Sequence, residues 1–113
     1  MLSILQKIQT DKLKELFSPV IPGFGTNHAL VYQTLFVSGP QMAGNLIAET
    51  GLEPHVTYGV LRDFVAWQIA QTAKSTPTIY SVDEPNKTLE QYKNWSKKSQ
   101  ADKNIALVAQ IRG

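Results

Sequence analysis

The chain has 113 residues, 42% of them hydrophobic, with a formal net charge of +2, which suits one domain with a modest core and leaves no room for two independent ones. It has no cysteine, which excludes a disulfide framework, a thiolate nucleophile and a cysteine-based zinc site. No apolar run reaches the roughly 20 residues of a membrane helix, and the N-terminal MLSILQKIQTDKLKELF carries Asp11 and Glu15 with no unbroken apolar stretch, so a structural helix and a cytoplasmic location away from any membrane are expected.

In chain order, Leu2, Leu5, Ile8, Leu13, Leu16 and Phe17 recur at spacings near 3.6, which predicts a first helix from about Ser3 to Phe17. Ser18-Pro19 and Pro22-Gly23 end it, and Gly25 continues the loop. Thr26 or Asn27 is placed to cap a second helix, whose partly buried face is Ala29, Leu30, Tyr32, Gln33, Leu35 and Phe36. Ser38-Gly39-Pro40 stops that helix. A third runs from about Gln41 to Glu49, burying Met42, Leu46 and Ile47. Gly51 falls where a chain leaving a helix needs a left-handed residue. Pro54 then opens a fourth helix that reaches Phe64 or Val65, with Val56, Val60, Leu61 and Phe64 inward and Gly59 as a weak point.

The period then changes. QIAQTA, KSTP and TIYSV read as strand, turn and strand, with Pro77 acceptable only at the turn or a strand's first residue. Asp83 to Asn86 ends the hairpin. From Lys87 onward Leu89, Tyr92 and Trp95 predict further helix, and Ile105, Leu107, Val108 and Ile111 form a second apolar group, as one helix or two. Tyr92 and Trp95 are expected to cover the core while Lys93, Lys97 and Lys98 stay on the wet face, with nucleic-acid or partner contact as the alternative.

The result is a mainly α chain with one small β-hairpin, in the order of a winged helix-turn-helix with extra N- and C-terminal helices. Residues 28–82 resemble the N-terminal domain of TrmB-like and MarR-like transcriptional regulators. The resemblance rests on HALVYQTLFVSG, Pro40, LIAETGL, VTYGVLRDF and QIAQTAKSTPTIYSV. Taken with the chain length and the order of elements, it gives a single winged-helix domain over residues 1–113, with an N-terminal helix and loop at 1–25, the winged core at 26–85 and a C-terminal helical extension at 86–113. It also implies that the Glu53–Phe64 helix enters a DNA major groove. His55, Thr57 and Tyr58 would then face bases, Gln41, Arg62 and Lys74 would meet phosphates, and Ser75 and Thr76 would form the wing tip. Ile47 replaces the small residue usual before the turn. Trp67 and Gln68 stand where a glycine and a hydrophobic residue normally leave the reading helix.

The charge is unevenly placed. Residues 26–85 carry Arg62 and Lys74 against Glu49, Glu53, Asp63, Asp83 and Glu84, a net −3. Residues 86–113 carry Lys87, Lys93, Lys97, Lys98, Lys103 and Arg112 against Glu90 and Asp102, a net +4. For catalysis the chain offers only His28 and His55 as imidazoles, no paired metal ligands, no phosphate-cradling Gly-rich loop and no nucleophile elbow. No enzyme activity, metal or cofactor is expected. The expected function is sequence-specific double-stranded DNA binding by a small homodimeric transcriptional regulator. The alternative is a winged-helix module that binds protein in a replication, segregation or transcription complex.

Overall fold

The computed structural model describes the backbone of residues 4–112 and the side chains of residues 9–98. Along the chain run α1 (Ile4–Phe17), α2 (Thr26–Ser38), β1 (Gln41–Met42), α3 (Ala43–Thr50), α4 (Pro54–Ala66), β2 (Ala70–Ala73), β3 (Ile79–Val82) and α5 (Pro85–Arg112). The sheet is antiparallel in the order β1-β3-β2. This is the expected helical fold with its hairpin, plus one strand that the sequence did not suggest.

The core forms where α1, α2 and α4 meet. Phe17, Ile21, Tyr32, Leu35, Leu46, Leu61, Phe64 and Ile69 are all fully buried or nearly so, each large side chain contributing about 1.5–3 kcal/mol by leaving water. The loop after α1 takes part: Ile21 is buried, and Phe24 packs on Phe17 at a ring distance of 4.9 Å. Between α1 and α2 the contact is polar as well as apolar. Thr10 donates to Gln33 Oε1, and Gln33 Nε2 donates to Gln9 Oε1 at 2.8 Å. Leu16, expected inward, is instead 42% exposed.

Three starts and stops differ from expectation. The N-cap of α2 is Gly25, whose N–H is accepted by His28 Nδ1 at 3.1 Å, so neither Thr26 nor Asn27 caps it. The third helix begins at Ala43, because Gln41 and Met42 pair with Tyr80 and Ile79 as a two-residue strand. Its buried positions are Ala43 and Leu46, so Ile47 stays half-buried and does not crowd the helix crossing. Helix α5 begins at Pro85, with Glu84 Oε1 accepting the Lys87 N–H at 2.9 Å, and continues unbroken to Arg112. A carboxylate before a first-turn proline satisfies one of the orphan N–H groups. The apolar group Ile105, Leu107, Val108 and Ile111 lies outside the described side chains.

Both helices of the turn motif stop at a left-handed residue. Gly51 has φ 72° and closes α3 through its N–H to Ile47 O at 3.0 Å, as its position suggested. At the far end of α4 the left-handed residue is Gln68, with φ 62°. Its N–H meets Val65 O at 3.1 Å and the Ile69 N–H meets Phe64 O at 3.0 Å, the two bonds of a Schellman stop. The left-handed position at this stop is thus Gln68, one residue after the cap Trp67. Ile69, which follows it, is buried.

Candidate nucleic-acid interface

Helix α4 presents one outward face. Its inward stripe of Val60, Leu61 and Phe64 fixes the helix's rotation, which leaves His55, Tyr58 and Arg62 on exposed positions three and four apart. Tyr58 is 54% exposed. The His55 side chain is 77% exposed, with Nδ1 at 3.3 Å from Glu53 Oε2. That pair is fully solvated and contributes little to stability. Between α4 and β3 runs an open groove lined by Tyr58, Leu61, Arg62, Val65 and Tyr80. Across the helix a second cleft lies against the start of α2, lined by Thr26, Asn27, His28, His55, Arg62 and Asp63. Arg62 borders both.

The hairpin stands beside this face. β2 and β3 pair from Ala70↔Val82 to Ala73↔Ile79, and Lys74, Ser75 and Thr76 form the exposed tip. Ser75 is held in the turn, its N–H to Ala73 O at 2.9 Å and its hydroxyl donating to Pro77 O at 2.7 Å. Among the described residues Lys74 has no ion pair, so its ammonium is available to an anion.

Two of the expected contact residues are elsewhere. Thr57 is fully buried and its hydroxyl donates to Glu53 O at 3.3 Å, so it packs under α4 and presents nothing to a groove. Gln41 is 8% exposed in β1, held by its strand pairing with Tyr80. A side chain so enclosed cannot reach a phosphate. The structure therefore gathers His55, Tyr58 and Arg62 on one helix face, sets Lys74, Ser75 and Thr76 at the wing tip, and removes Thr57 and Gln41.

Asp63 is next to Arg62, where it would oppose an incoming phosphate. It is engaged by a residue the sequence did not distinguish. His28 Nδ1 accepts from Gly25 N–H, so the ring proton sits on Nε2 and faces Asp63 Oδ2 at 2.8 Å. The imidazole also packs on Trp67 and Phe24, at ring distances of 5.2 and 5.6 Å. His28 thus fastens the start of α2 to α4 and occupies one oxygen of Asp63, whose side chain stays 45% exposed in the cleft beside Arg62. Its partner lies 35 residues along the chain, a distance over which no local pattern signals the contact. Among the described residues no cluster of histidine and carboxylate side chains is arranged to hold a metal ion, and no helix is long and apolar enough to cross a membrane.

No protein-family model matches the sequence, and no curated protein matches it. Solved structures do resemble it. TrmBL2, an archaeal chromatin protein with a novel mode of DNA binding, gives a TM-score of 0.66 at 19% identity, covering 96% of this chain and 40% of that one. The transcriptional regulator Tm0710 from Thermotoga maritima gives 0.55 at 14% identity, covering 96% of this chain and 85% of its own. BpsR from Bordetella bronchiseptica, whose DNA binding is regulated by 6-hydroxynicotinic acid, gives 0.52 at 13% identity, covering 96% and 93%. The chain spans about two-fifths of the length of TrmBL2. At such identities the likeness is one of fold, and that fold is the winged helix-turn-helix found in solved transcriptional regulators, here with an added helix at each end.

Proposed function

We propose that the chain is a small homodimeric transcriptional regulator that binds double-stranded DNA by sequence. The observation that carries this reading is the outward face of α4, where His55, Tyr58 and Arg62 stand exposed beyond the turn at Gly51 and beside a wing tipped with Lys74. Structural neighbours that bind DNA, TrmBL2 and BpsR, support it. In this reading α4 lies in the major groove, His55 and Tyr58 address base edges, and Arg62 and Lys74 address phosphates. Binding itself is the mechanism: occupancy of a site, with no catalytic step.

A sequence-selection assay with two variants tests it. His55 is exposed and bonded only to a solvated carboxylate, so His55→Ala should leave the melting temperature unchanged while altering the preferred sequence. Lys74→Ala should weaken binding to unrelated duplexes alike and lower the salt slope by about one unit. If neither variant changes DNA binding, α4 and the wing are not the interface. The net −3 charge of residues 26–85 favours a second reading, an interaction module for another protein. Failure of the intact chain to bind any duplex at low salt would select that reading.

A further inference from the structure

The positive charge of this chain is not where its fold would use it. On α4 Arg62 is followed by Asp63, and the wing supplies Lys74 alone. Non-specific affinity for DNA comes essentially from cations set against phosphates, so two cations are a thin supply. The described part of α5 has the opposite balance. Lys87, Lys93, Lys97 and Lys98 are all exposed, with Glu90 as the one carboxylate of that segment. The like-charged pair Lys93 and Lys97, four apart, costs an isolated helix a few tenths of a kcal/mol. Among the described residues only Lys87 meets a carboxylate, Asp83 at 3.8 Å, and no acidic side chain pairs with the other three.

We propose that the outer face of α5 is a second DNA contact surface, a lysine stripe that binds the phosphate backbone of duplex DNA without reading its sequence. The inference rests on the DNA-binding reading above and assigns the electrostatic share of that binding to α5, leaving sequence preference to α4. The helix sorts its side chains accordingly. Leu89 and Tyr92 are buried, and Trp95 packs half-buried on the core and 5.8 Å from the Tyr92 ring. The aromatics are therefore withheld from the lysine face, which has no platform on which unpaired bases could stack. Nor does that face offer apolar side chains to a lipid surface: Asn94 and Glu90 lie between the lysines. What remains is a broad face of ammonium groups, spread over roughly 140° of the helix at 3.6 residues per turn and long enough to follow a duplex strand. From Lys87 to Lys98 the helix rises about 16 Å at 1.5 Å per residue, matching roughly five base-pair steps at 3.4 Å per phosphate on one strand.

The test compares the intact chain with its Lys93→Gln/Lys97→Gln/Lys98→Gln variant on two unrelated DNA duplexes, measuring affinity over a range of KCl concentrations. The three side chains are exposed, so the melting temperature should hold. The salt slope should fall by roughly 2.7, about 0.9 for each phosphate released, and the two duplexes should lose affinity by the same factor. Replacing the same lysines with arginine should restore the slope. Glu90→Gln, which removes the carboxylate, should tighten binding to both duplexes, a gain that unfolding cannot mimic. An unchanged slope in the glutamine variant, with binding intact, overturns the stripe and leaves the function of α4 standing. A lowered slope together with no effect of His55→Ala on sequence preference keeps the stripe and overturns the sequence-reading role of α4. Wild-type protein that binds no duplex at low salt overturns both. Polyglutamate binding as tightly as the duplex, with the same loss in the variant, assigns the lysines to an acidic protein and also overturns the proposal.

Discussion

At Gln68 a long polar side chain occupies a backbone conformation with φ 62°. Left-handed geometry costs a residue with a Cβ about 1–2 kcal/mol, while glycine in its place gives up about 0.5–1 kcal/mol of chain entropy. Gln68→Gly should therefore raise stability by about 0.5–1 kcal/mol, read by denaturant unfolding. A loss instead would mean that the Gln68 side chain, whose Nε2 reaches Val65 O at 3.4 Å, holds the stop. Gly59 poses the reverse question. It lies mid-helix between His55 and Arg62, and an added Cβ would meet nothing nearer than Arg62 Nη2 at 3.8 Å, an ordinary contact. Gly59→Ala should stabilise the protein by up to about 1 kcal/mol from helix propensity alone. If the bare backbone there is a place where DNA approaches closely, the same variant should bind more weakly although it folds better. Equal affinity at higher stability would remove Gly59 from the interface.

Between elements, a tyrosine helps tie the winged core to the start of α5. Tyr32, on α2, donates its hydroxyl to the Asp83 carbonyl and lies 3.1 Å from Thr88 Oγ1, itself fully buried. Burial pushes the Tyr32 phenol up from 10.0 to about 12, opposed in part by the hydrogen bond with Thr88. An acid with a raised folded-state value stabilises the fold fully below the unfolded value and loses that contribution as pH rises through the interval. The unfolded chain ionises first, so between pH 10 and about 12 stability should fall at up to about 1.4 kcal/mol per pH unit. Tyr32→Phe should lower stability by about 1 kcal/mol at neutral pH, through the lost hydrogen bond, and should flatten that alkaline decline. Equal slopes in both proteins would show that Tyr32 is not the group responsible. The same contacts explain what the sequence could and could not disclose. Long amphipathic repeats and the Gly51-to-Pro54 punctuation are local signals, and they located α1 to α4 and the hairpin to within a few residues. Strand β1 has only two residues and no period of its own; it exists because β3 offers Tyr80 and Ile79 for pairing. Tyr32, Gln33 and His28 are likewise set by partners more than twenty positions away. Thr57 was misplaced because it shares a turn with exposed His55 and Tyr58, and only the rotation of α4 separates inward from outward.

At the scale of the molecule, three elements among the described residues jointly form an exposed apolar surface. Leu16 of α1 and Phe36 and Val37 of α2 are 42%, 47% and 70% exposed, and with Leu13 and Pro85 at the start of α5 they line one groove. Side chains of this size exposed together are a surface to be covered, and a two-fold partner would cover it by presenting the same patch in return. The proposed homodimer would also ease the shortage of cations, since a second copy would double the reading helices, wings and α5 faces available to a duplex. Sedimentation at micromolar concentration should give a species of twice 12.5 kDa. Val37→Glu places a carboxylate in the groove at a position already 70% exposed, so the monomer should keep its melting behaviour while the dimer dissociates. DNA affinity should then fall by more than ten-fold, because the second half of the contact is no longer intramolecular. A wild-type chain that sediments at 12.5 kDa overturns the dimer. A variant that remains dimeric moves the interface off this groove, and a monomeric variant with undiminished affinity shows that one copy suffices for the duplex.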